Sequence, residues 1–266
     1  MPTRKLSPYE KTHLARFGSG ILDLSTLGEM PVEYATGKCE FAGQVFTVNQ
    51  DVLITRVESE ALVDLALENL PLTIYHLPRR QAGPPLAIAE VGTGSGAIGL
   101  SLAAQLSQKN IKYKLYLSDI SEKALLVAQK NAKSQFADLQ MHRLTFLYSN
   151  LLTNYPKTQK FDLIIANLPY IPSQRVDHLD SSVKDFEPRV ALDGGPDGLS
   201  LIKELVKQAP AFLKKHGTIL LEIDHTHDLP DFAFAKDKFQ VEIKKDEFSQ
   251  NRFVVLKLEI NSLSRH

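Results

Sequence analysis

Apolar positions along this chain fall into two alternating rhythms. Short, nearly continuous apolar runs at 86–90, 114–119, 145–148, 161–166 and 218–223 read as strands buried on both faces. Between them the spacing becomes helical over 97–108, 122–133 and 199–215, where Leu201, Leu205 and Leu213 form a core stripe. This alternation predicts an α/β fold, a mostly parallel, doubly wound sheet with helices on both faces. The last two runs, 239–244 and 252–258, have no helix between them and predict an antiparallel hairpin that closes the sheet with a reversed final strand. Ahead of the sheet the pattern differs. Ser7, Pro8 and Glu10 form a capping box that opens a short helix, which Gly18 can close. Alternation around Phe41-Ala42-Gly43 predicts a hairpin within 30–55, and 58–70 returns to helical spacing. The Pro- and Gly-rich stretch 77–85 reads as a connector, so two regions are expected: a small helix-and-hairpin part at 1–78 and the main α/β domain at 79–266.

Composition narrows the function classes. With 43% apolar residues in 266, the chain can bury a substantial core. Thirty-one basic residues balance thirty-one acidic ones, which disfavours a nucleic-acid groove or an anionic membrane surface as partner. The single cysteine, Cys39, excludes an intramolecular disulfide and a multi-thiolate zinc site, and it suits a reducing compartment, the cytoplasm. No apolar run follows the basic residues at the amino terminus, so a secretory signal is not expected; the stretch 91–108 is too rich in Gly, Ser and Gln to span a bilayer. His225 and His227 invite a metal assignment, but they alternate and lack a distant third ligand, so none is expected.

The first strand of the sheet runs into Glu90-Val91-Gly92-Thr93-Gly94-Ser95-Gly96, a turn whose missing side chains let backbone amides approach a ligand. Gly94, Gly96 and Gly99 also satisfy the dinucleotide spacing. Glu90 argues against a dinucleotide: a carboxylate two residues before the first glycine would face a pyrophosphate, whereas S-adenosylmethionine brings an ammonium and a sulfonium. Glu90, Gly92, Thr93, Gly94, Ser95 and Gly96 are therefore expected to cradle the methionine part. Asp119, with Ile120 beside it, ends the second strand about 20 residues past the loop, where a carboxylate can take ribose hydroxyls. Asn150 and Leu151, ending the third, are expected to border adenine.

The fourth strand leads into Asn167-Leu168-Pro169-Tyr170. A planar amide or exocyclic amine is a poor nucleophile because its lone pair is delocalised, so an enzyme alkylating it must grip both N–H bonds. The Asn167 side-chain carbonyl and the Leu168 backbone carbonyl, the latter held extended by Pro169, are the expected acceptors, Asn167 is also expected to border the cofactor, and Tyr170 is expected to stack on the planar group. No dedicated base is needed, because the surplus proton can leave to water after transfer.

Together these segments resemble class I S-adenosylmethionine methyltransferases, and further stretches narrow the resemblance to the HemK-like protein-glutamine methyltransferases that act on peptide-chain release factors. Those stretches are Glu33-Tyr34-Ala35-Thr36-Gly37, the run from Asp51 to Glu60, and Glu187-Pro188-Arg189-Val190-Ala191-Leu192-Asp193-Gly194-Gly195-Pro196-Asp197-Gly198-Leu199. The resemblance covers 31–258 and implies a glutamine of a Gly-Gly-Gln tripeptide as acceptor, a release factor as partner, and S-adenosylmethionine as cofactor. Three departures stand out. Leu168 replaces a proline of the usual Asn-Pro-Pro-Tyr, Val57 and Ser59 replace a proline and a threonine, and the amino-terminal helical region is short. The loop alone is also similar to that of ribosomal RNA adenine dimethyltransferases, so adenine-N6 methylation of RNA or DNA is the alternative.

Overall fold

The computed structural model describes residues 4–18, 27–71, 84–136 and 141–259. Of the connector at 77–85, residues 77–83 lie outside them, as does the boundary placed at residue 78. Helix α1 (Pro8–Phe17) begins at the capping box: the Ser7 hydroxyl accepts from the Glu10 amide while the Glu10 carboxylate accepts from the Ser7 amide, and the Gly18 amide bonds back to Leu14. The Tyr9 hydroxyl donates to Glu33 on α2 (Val32–Thr36), a helix that the alternating reading of 30–55 did not foresee. Strands β1 (Lys38–Phe41) and β2 (Gln44–Thr47) form the expected hairpin, and α3 (Glu60–Asn69) follows a single 3-10 turn.

The main sheet comprises β3 (Leu86–Val91), β4 (Tyr113–Asp119), β5 (Leu144–Tyr148), β6 (Phe161–Ala166), β7 (Leu213–Glu222), β8 (Phe239–Lys245) and β9 (Asn251–Leu258). They lie in the order β5-β4-β3-β6-β7-β9-β8, all parallel except β9, which pairs antiparallel with both neighbours. Helices α4 (Ala97–Gln108), α5 (Glu122–Gln135) and α8 (Ser200–Gln208) provide the crossovers, and two one-turn helices, α6 (Ser173–Val176) and α7 (Ser181–Lys184), decorate the loop after β6. Helix α8 is shorter than the expected 199–215. Pro210 cannot continue the hydrogen-bond ladder, a 3-10 turn spans Ala209–Ala211, and Leu213 begins β7.

All six residues of β3 are buried, as a central parallel strand covered on both faces requires. Side chains alternate between two cores. Leu86 and Ile88 join the core of α3 and α4, and Ala87, Ala89 and Val91 join the core of α8. The front hairpin contributes Phe41 and Phe46 to the first of these, beside Leu62, Val63 and Ala66 of α3. Asn131 of α5, fully buried, accepts from the Thr47 amide and donates to the Thr47 and Ser95 carbonyls, so one side chain ties the hairpin to the glycine loop. Among the described residues no helix is long and apolar enough to cross a membrane.

Candidate active site

The carboxyl ends of β3 to β6 surround a cavity where the strand order reverses, the place at which open α/β sheets bind ligands. The cavity opens to solvent. Most residues expected at the site converge here: Gly92, Thr93, Gly94 and Ser95 after β3, Asp119 and Ile120 after β4, Asn150 and Leu151 after β5, and Asn167, Leu168 and Pro169 after β6. Asp51, Val52, Leu53 and Thr55 before the sheet and Pro188, Val190 and Ala191 add to the wall. Asp51 and Asp119 are the charged groups in the lining, and among the described residues no Lys, Arg or His joins them. Asp51 also pairs at 3.3 Å with the exposed Lys123 outside the lining, and the acidic lining suits a cation better than a phosphate.

Glu90, Gly96 and Tyr170 are not among the lining residues. Glu90 shares the face of β3 that carries Leu86 and Ile88, so its carboxylate lies beneath the glycine loop, against α4. There it accepts from the Thr93 hydroxyl at 2.5 Å and from the Gly99 amide. A methyl group on Gly99 would sit 2.4 Å from Glu90 Oε2, so the last glycine of the motif makes room for this carboxylate. Burial pushes the Glu90 carboxyl up to about 8, against the donors Thr93 and Gly99. In the window from about 4.5 to about 8 the folded ligand-free protein holds a proton that the unfolded chain has lost, so stability falls as pH rises. Replacing Glu90→Gln should remove that slope, which for one group reaches about 1.4 kcal/mol per pH unit. Urea unfolding of both proteins at pH 5, 6.5 and 8 checks this; parallel pH profiles would contradict it.

Asp119 accepts from the Gly94 amide with one oxygen and from the Ser121 amide with the other, both at 2.9 Å. Those bonds hold the carboxylate at the lip of the cavity, and burial raises its pKa. Asn150 is exposed, while Leu151 is buried with a positive φ of 50° that turns the chain across the cavity floor.

At the opposite wall, Asn167 donates through Nδ2 to Glu222 Oε2 at 3.0 Å and to Ser59 Oγ at 3.1 Å. The amide nitrogen is thus engaged behind the wall, and Oδ1 is the edge left for a ligand. Tyr170 directs its hydroxyl to Glu222 Oε1 at 2.9 Å.

A family described as "Methyltransferase domain" matches residues 85–257. The chain is 38% identical over 215 residues to the release factor glutamine methyltransferase of Moorella thermoacetica, covering 80% of this chain and 69% of that protein. To the protein of the same name in Clostridium acetobutylicum it is 32% identical over 231 residues, covering 85% and 75%. The chain belongs to the release factor glutamine methyltransferase family. Its match to the Bacillus cereus member, 37% identical, spans 73% of this chain and 63% of that protein, a little under two thirds of its length. The 16S rRNA N2 G1207 methyltransferase of Thermus thermophilus shares the fold, with a TM-score of 0.55 at 16% identity over 84% of this chain and 50% of that one.

Two departures from the family pattern have structural counterparts. Leu168 is 4% exposed, and its Cδ2 lies 3.1 Å from where a methyl group on Gly92 would be, so it packs the 167–170 loop against the first loop glycine. Ser59 keeps a hydroxyl where threonine is usual, and that hydroxyl is the one bonded to Asn167 and Glu222. Arg56 and Glu187, from two segments characteristic of the family, pair at 2.8 Å and join the two sides of the rim. Arg189 instead pairs with Asp177 on the surface. His227 donates from Nε2 to the Asp197 carbonyl, and Asp224 takes the Arg175 guanidinium. Cys39 is buried, which raises its thiol to about 12.

Proposed function

We propose that this chain is a cytoplasmic, S-adenosylmethionine-dependent methyltransferase that methylates the side-chain amide of a release-factor glutamine in a Gly-Gly-Gln tripeptide. One observation carries the reading: Asn167 meets an acidic cavity with its amide nitrogen already engaged, so an acceptor oxygen is left for an incoming N–H. The cavity fits the cofactor through Asp51 and Asp119 in its lining, two acidic groups suited to a ligand with an ammonium and a sulfonium, while Glu90 holds the loop from beneath. In this reading Glu90 acts through Thr93 and the loop that it underpins, Gly92 to Gly96 hold the methionine part, Asp119 and Ile120 the ribose, and Asn150 and Leu151 the adenine. The cofactor supplies a methyl carbon on a sulfonium leaving group, so that a C–N bond forms as the C–S bond breaks.

The chain's own contribution is orientation. Asn167 Oδ1 and the Leu168 carbonyl accept the two N–H bonds of the glutamine amide and fix its plane, which exposes the nitrogen lone pair. Pro169 restricts the Leu168 backbone, Tyr170 supports the loop from behind, and the surplus proton leaves to water. Residues 1–78 make up the partner-contacting part and 79–266 the methyl-transferring domain. Incubation with tritiated cofactor and a bacterial release factor tests the reading. Label on the Gly-Gly-Gln glutamine, lost when that glutamine is alanine, is the expected result; label in ribosomal RNA instead, or none in either, would overturn it.

A further inference from the structure

The buried end of β7 carries a carboxylate to which the methyl-transfer reading gives no task. Glu222 is 1% exposed and sits on the same strand face as Leu220. Three donors converge on it: the Ser59 hydroxyl at 2.5 Å and Asn167 Nδ2 at 3.0 Å, both on Oε2, and the Tyr170 hydroxyl at 2.9 Å on Oε1. Ser59 in turn gives its proton to Glu222 and accepts from Asn167 at 3.1 Å, so the network closes on itself.

From this geometry we infer that Glu222 is a positioning residue that sets which edge of the Asn167 amide faces the cavity. An amide side chain has two nearly isosteric orientations, one presenting oxygen to the acceptor substrate and the other presenting NH₂. Only the first can serve an incoming N–H donor. An ionised carboxylate accepts and never donates, so with Glu222 behind the wall the flipped orientation would place Oδ1 against a negative oxygen and take the Asn167 donor away from the buried carboxylate. Ser59 adds a second acceptor on the same side, and Tyr170 holds the far oxygen of Glu222 so that the carboxylate cannot rotate away. The inference rests on the role given to Asn167 above, but the geometry that it asserts exists in the free protein.

Glu222→Gln keeps the size of the side chain and introduces an NH₂ that can donate to Asn167 Oδ1, so both orientations become accessible. Burial raises the Glu222 pKa, opposed by the bonds from Ser59 and Tyr170 and by Arg252, while Glu58 pushes in the same direction as burial. Protonation of Glu222 should therefore disturb Asn167 as the amide variant does.

The test uses ¹⁵N NMR of the ligand-free full chain, with the Asn167 side-chain NH₂ signal assigned by its disappearance in Asn167→Ala. In the wild type that signal should be protected from exchange and should shift as pH falls through the titration of a raised carboxylate. In Glu222→Gln the pH shift should vanish and protection drop about tenfold or more, and Ser59→Ala should retain the shift with weaker protection. A wild-type Asn167 signal that exchanges freely, or one titrating identically in Glu222→Gln, would overturn the inference whatever the substrate proves to be. On the release factor, Glu222→Gln should lower kcat about tenfold to a hundredfold with KM and cofactor Kd little changed. Combined with Asn167→Ala it should add almost nothing; full additivity would mean that Glu222 acts elsewhere.

Discussion

Asn167→Ala should lower the rate of methyl transfer about a thousandfold while leaving cofactor affinity within about threefold of the wild type. The asymmetry follows from where the side chain sits. Its Nδ2 is committed to Glu222 and Ser59, so Oδ1 is the atom that it offers to the cavity, and that oxygen meets the acceptor amide rather than the cofactor. The groups read as holding the cofactor, Gly92 to Ser95, Asp119 and Leu151, belong to three other strand ends and are untouched by the substitution. The variant also removes one of three donors to the buried Glu222 carboxylate, which should reduce stability by about 1–3 kcal/mol. Calorimetric titration of cofactor, paired with single-turnover label transfer, separates the two effects. Equal losses in affinity and turnover would place Asn167 on the cofactor and remove the basis for amide activation.

Much of this arrangement is legible in the chain because short-range rules govern it. The Ser7 capping box, the 97–108 helix after the glycine loop, the 161–166 strand and the closing hairpin all depend on neighbours in sequence, and each is found where its pattern puts it. The convergence of Gly92, Asp119, Leu151 and Asn167 follows from parallel topology, which sends every carboxyl end to one edge. What escaped depends on side-chain parity and long separations. Glu90 is expected at the cavity, yet the alternation beginning at Leu86 and Ile88 already sends it to the α4 face, a signal present in the run itself. The bond between Glu222 and Asn167 spans 55 residues and that between Ser59 and Asn167 spans 108, and no local pattern announces either. Tyr170 is expected to stack on a substrate, but its hydroxyl is drawn to Glu222, a partner 52 residues away at the buried end of β7. Asn131 likewise reads as an ordinary polar helix position until the hairpin folds against it.

Gly198→Ala should be strongly damaging although it lies outside the cavity lining. The turn 192–200 is laced to the segment just after the catalytic loop: the Ile171 amide bonds to Leu192, the Gly194 amide to Ile171, and the Ser173 amide to Gly195. Gly198 has a φ of +76°, and a methyl group there would lie 2.2 Å from the Tyr170 carbonyl oxygen and 3.1 Å from its carbon. These are backbone atoms that no rotamer change can move aside. The strain of a left-handed alanine and the overlap should together cost about 2–4 kcal/mol. Relief requires Tyr170 to shift, and with it the Leu168 carbonyl two residues away, so kcat should fall about a hundredfold. Gly43→Ala in the front hairpin is the matching control: its φ is +71°, with nothing within 4 Å of the added carbon. That variant should show only the conformational strain, about 1–2 kcal/mol, with kcat unchanged. Urea unfolding and label-transfer kinetics on both variants decide the matter. If Gly198→Ala loses no more activity than Gly43→Ala, the glycine-rich turn is not what holds the catalytic loop in register, and its occurrence beside Tyr170 needs another explanation.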